Sequence, residues 1–228
     1  MPELWVCEAG QVPYGEALAL QEHLREARQA QAIPDVLLLL EHPAVYTRGR
    51  RSTEAELPLG ESWYAAQGIE IVDVDRGGRI TYHGPGQLVG YPIMQVGPII
   101  GFLRTMEEAI VAALGEEGIA ARSGADRPTG VWVGERKIAS LGIHVARRVT
   151  THGFAVNVDN DLTPFEWIVP CGLDGVQMTS VARETGRAEN LVCFRKRMAH
   201  EFARACGMRQ RLVSRARLEA AVGELVGG

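Results

Sequence analysis

A glycine-rich stretch at residues 76–92 limits the folds open to this chain more than any other segment does. It reads Arg-Gly-Gly-Arg-Ile-Thr-Tyr-His-Gly-Pro-Gly-Gln-Leu-Val-Gly-Tyr-Pro, so five glycines and two prolines interrupt residues typical of strands. The pattern predicts two strands on either side of an irregular turn at residues 83–87. The same glycines would let a ligand approach the backbone N–H groups closely. A tight hairpin with a bulge is the simpler alternative, and composition alone leaves both open.

Length and composition indicate one compact domain covering residues 1–228, because 46% of the residues are hydrophobic. The formal net charge of -4 argues against a nucleic-acid binder. The first residues carry Glu3 and Glu8 and do not form a signal peptide. Prolines and Gln95 interrupt the longest apolar stretch, at residues 88–103, so no membrane span is expected. We therefore expect a soluble, cytoplasmic protein.

The four cysteines show no Cys-x-x-Cys pairing, which fits reduced thiols. Cys193, His200 and Cys206 could be imagined as metal ligands, but spacings of 7 and 6 residues do not place them on one helical face. No metal and no cofactor is therefore expected.

The order of the predicted elements favours an α+β fold with a mixed, largely antiparallel sheet flanked by helices. An aliphatic run at residues 36–40, bounded by prolines, fits a strand that is covered on both faces. Other strands are predicted at residues 4–7, 45–47, 69–74, 131–133, 138–145, 154–158 and 165–169. Helices are predicted at residues 14–31, 62–67, 102–114, 191–206 and 216–226.

Two side chains are candidates for chemistry. Cys171 stands between Pro170 and Gly172 after an apolar segment, where it is either a reactive thiol or a small buried hydrophobic residue. Lys137 is one of two lysines in a chain with 22 arginines. A lysine can give up its proton and an arginine cannot, so Lys137 is either an acid–base group or a surface lysine in a hairpin.

Three histidines, His83, His144 and His152, are further candidates for proton transfer, and His83 is the best placed because it lies in the glycine-rich turn. Residues 195–217 hold seven arginines and one lysine against a single acid, Glu201. This basic tail is either a solvated helical face or a surface that steers an acidic partner through Arg195, Arg197, Arg204 or Arg209.

Six motifs, in the same order over about residues 10–185, closely resemble the octanoyltransferases, also called lipoate-protein ligase B. They are Leu40-Glu41-His42-Pro43 with Thr47 and Gly49-Arg50, the stretch from Arg76 to Leu88, Gly130-Val-Trp-Val, Lys137-Ile-Ala-Ser-Leu-Gly142, His152-Gly-Phe-Ala-Val-Asn157 and Pro170-Cys171-Gly-Leu173.

The resemblance implies the fold of the biotin and lipoate protein ligases. It also implies transfer of an octanoyl group from octanoyl acyl carrier protein to a lysine of a lipoyl domain, the first step of protein lipoylation. The implied acceptors are the lipoyl domains of 2-oxo acid dehydrogenase complexes and the glycine cleavage H protein.

Carried over by motif, Cys171 is the nucleophile that holds the acyl group as a thioester, and Lys137 favours its thiolate form. The implied acyl site consists of Arg76, Gly77, Gly78, Arg79, Ile80, Thr81, Tyr82, His83, Ser140, Leu141, Gly142, Gly153, Phe154 and Ala155. We also hypothesise that Ile80, Leu141 and Phe154 close the pocket and set the preference for eight carbons. The rival functions are an ATP-dependent lipoate ligase, a binding module without turnover and a cysteine hydrolase.

Overall fold

Two sheets organise the computed structural model, which describes residues 1–124, 127–169, 176–188 and 191–226. The strands are β1 Glu3–Gln11, β2 Asp35–Glu41, β3 Val45–Arg48, β4 Glu70–Asp73, β5 Thr81–His83, β6 Gln87–Ile93, β7 Val131–Val133, β8 Arg136–Ala146, β9 Val149–Asn157 and β10 Arg209–Leu212. The helices are α1 Tyr14–Gln29, α2 Glu61–Ala66, α3 Ile99–Gly115, α4 Val181–Thr185, α5 Leu191–Ala205 and α6 Arg215–Val226, with 3-10 turns at Glu54–Glu56 and Thr163–Trp167.

The larger sheet has the order β10-β1-β2-β6-β9-β8-β7, and the smaller one has the order β4-β3-β5. Strand β1 pairs in parallel with β2 and β10, whereas the pairs from β2 through β6, β9 and β8 to β7 are antiparallel. Helices cover both faces of the larger sheet. The predicted α+β fold with a mixed, largely antiparallel sheet is therefore confirmed.

Strand β2 lies at the centre of the core, as its aliphatic run predicts. Leu37 and Leu39 pack with residues of α3 and α5, and Leu38 and Leu40 pack with residues of α1 and α6 on the other face. The alternation follows from the two-residue period of a strand. Because both faces are covered, apolar side chains are required at residues 36–40 of this strand.

The glycine-rich stretch forms the two predicted strands, β5 and β6, but they do not form a hairpin with each other. Strand β5 pairs antiparallel with β3 in the smaller sheet, and β6 pairs with β2 and β9 in the larger sheet. The turn at residues 84–86 therefore crosses from one sheet to the other. The hairpin alternative is wrong, and the polar residues of the stretch lie at the junction of the two sheets.

The strand predicted at residues 165–169 is also wrong, because Thr163–Trp167 is a 3-10 turn. Pro164 favours this geometry through its fixed φ, and its carbonyl accepts a hydrogen bond of 2.6 Å from the Tyr46 hydroxyl. Strand β10 has no strand-like sequence pattern, because its four residues are all exposed and mostly polar, and it was not predicted. Among the described helices, none is both long enough and apolar enough to cross a membrane.

Candidate active site

A cavity of about 540 Å³ lies at the junction of the two sheets. Every residue of the implied acyl site except Tyr82 lines it, as does Lys137. The lining residues that the sequence analysis had not assigned to the acyl site are Tyr14, Arg51, Val89, Tyr91, Ile99, Leu103, Pro128, Thr129, Ile143 and His152. The structure thus brings together segments that are up to 141 residues apart, from Tyr14 to Ala155.

Tyr82 lies outside the described lining, in an aromatic cluster of the smaller sheet. Its ring centre is 5.5 Å from that of Tyr46 and 5.4 Å from that of Phe165. Strand alternation explains the difference, because Thr81 and His83 are on the cavity side of β5 and Tyr82 points the opposite way. Tyr82 supports the wall from behind.

Arg76 holds one wall of the cavity together. Its buried guanidinium donates two hydrogen bonds of 2.7 Å to the carbonyl and hydroxyl oxygens of Thr47, and one of 3.1 Å to the Gly77 carbonyl. The Gly77 amide donates to the Ile143 carbonyl at 3.0 Å, which closes this wall against β8. Gly142 must be glycine here, since a Cβ atom would lie 2.7 Å from the Gly77 carbonyl oxygen.

Lys137 is buried in another part of the wall, with an exposed fraction of 3%, so the surface-lysine interpretation is wrong. Its backbone amide donates to the Gln177 carbonyl at 2.8 Å, and its own carbonyl accepts from the Thr179 amide at 2.9 Å. Residues 177–179 thereby pair alongside β8. The Lys137 ammonium lies over the Trp132 ring.

Gly130 packs directly against the Lys137 side chain. A Cβ atom at this position would lie 2.5 Å from Lys137 Cε and 2.8 Å from the Ala139 carbonyl oxygen, and the φ angle of 148° is itself strained for other residues. The Gly130 amide donates at 3.0 Å to the buried carboxylate of Glu107 on α3. Helix α3 therefore fixes the segment against which Lys137 is packed.

Cys171 lies outside the described residues, so its role stays a prediction. Of the other three cysteines, two make poor nucleophiles and the third lies outside the described cavity lining. Burial raises the pKa of Cys7 and that of Cys206 to about 11, which keeps both as thiols at neutral pH. Cys193 is exposed on α5 and does not belong to the described cavity lining.

His83 and His152 line the cavity as neutral imidazoles. Burial lowers the pKa of His83 well below its ordinary value and that of His152 to about 4. His83 Nδ1 donates to Gln87 Oε1 at 2.7 Å, because the Gln87 amide nitrogen is already donating to two other acceptors. His152 Nε2 donates to the Asp75 carboxylate at 2.8 Å. Both rings are thus held in one tautomer.

Another histidine, His42, lies behind the cavity wall and is hydrogen-bonded to Tyr91, which lines the cavity. His42 Nδ1 must donate to the Val12 carbonyl at 2.7 Å, so its Nε2 accepts from the Tyr91 hydroxyl at 2.7 Å. His144 is half-buried beside Asp75 and lies outside the described lining. Within the described residues, no group of three or more His, Cys, Asp or Glu side chains is arranged to hold a metal ion.

The basic tail is largely neutralised by carboxylates of this chain. Arg195 lies 3.4 Å from Glu8 and 3.5 Å from Glu41. The remaining three arginines considered for docking also pair within the chain, Arg197 with Glu117, Arg204 with Glu201 and Arg209 with Glu3. These pairs favour the solvated-face interpretation over a docking surface.

Comparison with known proteins adds sequence and fold relationships to this geometry. The family model of the lipoyl protein ligase A/B catalytic domain matches residues 13–203. A Solibacter usitatus protein named octanoyltransferase is 45% identical over 201 residues, which are 86% of this chain and 90% of that protein.

Two solved structures share the fold at low sequence identity. A bipartite lipoate protein ligase from Thermoplasma acidophilum has a TM-score of 0.74 and 18% identity, with 99% of this chain and 92% of that chain covered. Biotin protein ligase from Aquifex aeolicus has a TM-score of 0.53 and 12% identity, with 100% of this chain and 76% of that chain covered. The fold implied by the sequence motifs is therefore confirmed.

Proposed function

The chain belongs to the lipoyl protein ligase A/B catalytic domain family and, within it, to the octanoyltransferases, which are acyltransferases; we propose that it moves an octanoyl group from octanoyl acyl carrier protein to a lysine of a lipoyl domain. The acceptors are lipoyl domains of 2-oxo acid dehydrogenase complexes and the glycine cleavage H protein. The observation that carries the proposal is the buried Lys137 in the wall of the cavity that the octanoyltransferase motifs line.

In the first step the Cys171 thiolate attacks the thioester carbonyl of the donor. The carbon–sulfur bond to the carrier breaks, a new thioester forms on Cys171, and the Lys137 ammonium gives its proton to the departing thiolate. Lys137 is then a neutral amine. An arginine at this position could attract the thiolate but could not supply the proton.

In the second step Lys137 takes a proton from the ammonium group of the acceptor lysine. The resulting amine attacks the Cys171 thioester, the amide bond forms, and Cys171 leaves as a thiolate. One proton goes to solvent, and both side chains return to their starting charges. The cycle therefore needs no nucleotide, in contrast to the ligase reaction, which activates a free acid.

The size and surface of the cavity support an acyl ligand. Its volume of about 540 Å³ is typical of a small-molecule site. Val89, Ile143, Phe154 and Ala155 give the wall apolar surface, and burial stabilises an alkyl chain by about 0.8 kcal/mol per methylene.

Intact-mass measurement after brief exposure to octanoyl acyl carrier protein without ATP tests the proposal. We expect an octanoyl adduct on the unmodified chain that a lipoyl domain removes, and no adduct on Cys171→Ala. Lys137→Arg tests the proton transfer, because it keeps the positive charge and should still lose turnover.

Other outcomes would identify the rival functions. Transfer from free octanoate only in the presence of ATP would make the protein a ligase. Release of free octanoate from the carrier would make it a hydrolase. Binding of the carrier or of the lipoyl domain without adduct or transfer would make it a binding module.

A further inference from the structure

Among the described residues that line the cavity, all the charged ones carry positive charge. They are Arg51, Arg76, Arg79 and Lys137, whereas the whole chain has a formal net charge of -4. Clustering of one sign of charge around a cleft raises the local concentration of ligands of the opposite sign. The cavity is therefore suited to an anionic group near the reacting thioester.

Arg51 differs from the other three cations. Arg76 bonds to Thr47 and Gly77, Arg79 lies 2.7 Å from the buried Glu56 carboxylate, and Lys137 is buried. The Arg51 side chain is exposed, and within the described part of the chain no hydrogen bond or ion pair of its guanidinium is found. In contrast, the four arginines of the basic tail that were considered for docking all form ion pairs with carboxylates of this chain.

The Arg51 backbone is nevertheless fixed. Its amide donates to the Gly78 carbonyl at 3.1 Å, and the neighbouring Arg50 amide donates to the Arg76 carbonyl at 3.1 Å. These bonds attach the Arg51 loop to the glycine-rich wall. A charged group that starts from a fixed backbone loses less conformational entropy on binding.

Aliphatic side chains at the start of α3 also lie at the cavity. Ile99 and Ile100 are 47% and 73% exposed, and Ile99 lines the cavity together with Leu103. The first turn of α3 contains no acidic residue. Ile99 and Ile100 are neighbours in the chain, so together they offer exposed apolar surface of the kind that a contact with another protein can bury.

We propose that Arg51 and Ile100 form the docking site for the acyl donor, in which Arg51 binds the phosphate of the arm that carries the thioester and Ile100 packs against the acidic carrier. This inference rests on the proposed function and assigns the rim to the donor. The acceptor arrives when Lys137 is neutral and brings an ammonium group, which the three arginines repel, whereas the phosphorylated arm and an acidic carrier are attracted.

Three donors distinguish the Arg51 contact with the phosphate from the Ile100 contact with the carrier. They are octanoyl-pantetheine, octanoyl-4′-phosphopantetheine and octanoyl acyl carrier protein, each used with the same lipoyl domain as acceptor. In Arg51→Glu, the KM for octanoyl-4′-phosphopantetheine divided by the KM for octanoyl-pantetheine should rise about tenfold. The KM for octanoyl acyl carrier protein should also rise at least about tenfold. Ile100→Asp should raise the KM for the carrier about fivefold relative to that for the free phosphorylated arm. Arg147→Glu, with the same charge change on the exposed β8–β9 turn, is the control.

An unchanged KM ratio in Arg51→Glu, with a wild-type enzyme that is active on all three donors, would overturn the inference. If Arg51→Glu raised the KM for the lipoyl domain and left the KM for the donor unchanged, the rim would serve the acceptor. That result would also contradict the inference. Failure of the wild-type protein to transfer from any donor would instead count against the proposed function itself.

Discussion

The Lys137 ammonium lies 5.5 Å from the centre of the Trp132 ring. The Arg127 guanidinium lies 5.7 Å from the same ring, so one indole contacts two cations. A cation over an aromatic face is stabilised by about 0.5 to 2 kcal/mol, with the larger values at desolvated sites. Trp132 is only 4% exposed, and we infer that its ring holds the ammonium in place beside the cavity.

Replacing Trp132 by leucine should lower the rate of octanoyl transfer about tenfold, because the face that holds the ammonium is lost. Trp132→Phe keeps an aromatic face and should retain most of the activity. Thermal unfolding of both variants separates this effect from a general loss of stability. Equal rates for the two variants would show that the aromatic face has no role.

Gly130→Ala should abolish most of the transfer activity. The new Cβ atom would lie 2.5 Å from Lys137 Cε, in a backbone conformation that is already unfavourable for alanine, so the lysine or the segment must move. Gly134→Ala is the matched control in the neighbouring turn, because no atom lies within 4 Å of a Cβ there. It should cost about 1 kcal/mol of stability through its positive φ and leave the rate unchanged. Similar rates for the two variants would contradict the packing argument.

Local sequence patterns predicted much of the fold. The run at residues 36–40 predicted a fully buried strand because five aliphatic side chains in succession require apolar cover on both faces. The hairpin alternative and the strand at residues 165–169 depended on partners that are distant in sequence. Pairing of β5 with β3 and the bond from Tyr46 to the Pro164 carbonyl decide these segments, and neither is visible in the local pattern.

In the candidate site, too, some residues could be predicted from the sequence and others depend on the tertiary fold. The motifs identified the wall residues from Arg76 to Gly142, because glycine and arginine at these positions are needed for close backbone approach and for bonds across the wall. They did not identify Tyr14, Arg51 or Ile99, which belong to no reactive pattern and reach the cavity only through the tertiary fold. Helical periodicity described α3 as a core helix but did not show that its first turn is exposed.

Stability should fall as the pH is lowered from about 7 to about 5. Burial lowers the pKa of both His42 and His152 to about 4, compared with about 6.5 in an unfolded chain. Between these values the unfolded state binds more protons, so the free energy of unfolding decreases on acidification, by about 2 kcal/mol for each histidine at about pH 5.

Urea unfolding at about pH 7.5 and about pH 5 measures this dependence. His42→Gln should be less stable than the unmodified chain at neutral pH, because it loses bonds to Val12 and Tyr91, but should lose about 2 kcal/mol less on acidification. His23→Gln, which removes an exposed histidine, controls for the substitution itself. An equal loss in the His42→Gln and unmodified chains would show that His42 does not contribute.

Acyl-chain preference should change when the cavity wall is shortened. Leu141→Ala and Ile80→Ala remove lining side chains, so we expect decanoyl donors to gain about fourfold per methylene relative to octanoyl donors. Phe154 differs because its ring lies over Gly90, where a Cβ atom would be 2.2 Å from Cζ. Its ring centre is 6.1 Å from that of Phe202, so Phe154→Ala should also cost about 3 to 5 kcal/mol of stability.

Competition between octanoyl, decanoyl and dodecanoyl donors measures the preference directly. Leu38→Ala is the matched control, because Leu38 is buried on the α1 side of β2 and is not among the described lining residues. It should reduce stability to an extent comparable with Phe154→Ala without changing the preference. Since each methylene contributes only about 0.8 kcal/mol, a strict eight-carbon preference requires a steric wall. An unchanged preference in Ile80→Ala, Leu141→Ala and Phe154→Ala would place that wall on other residues.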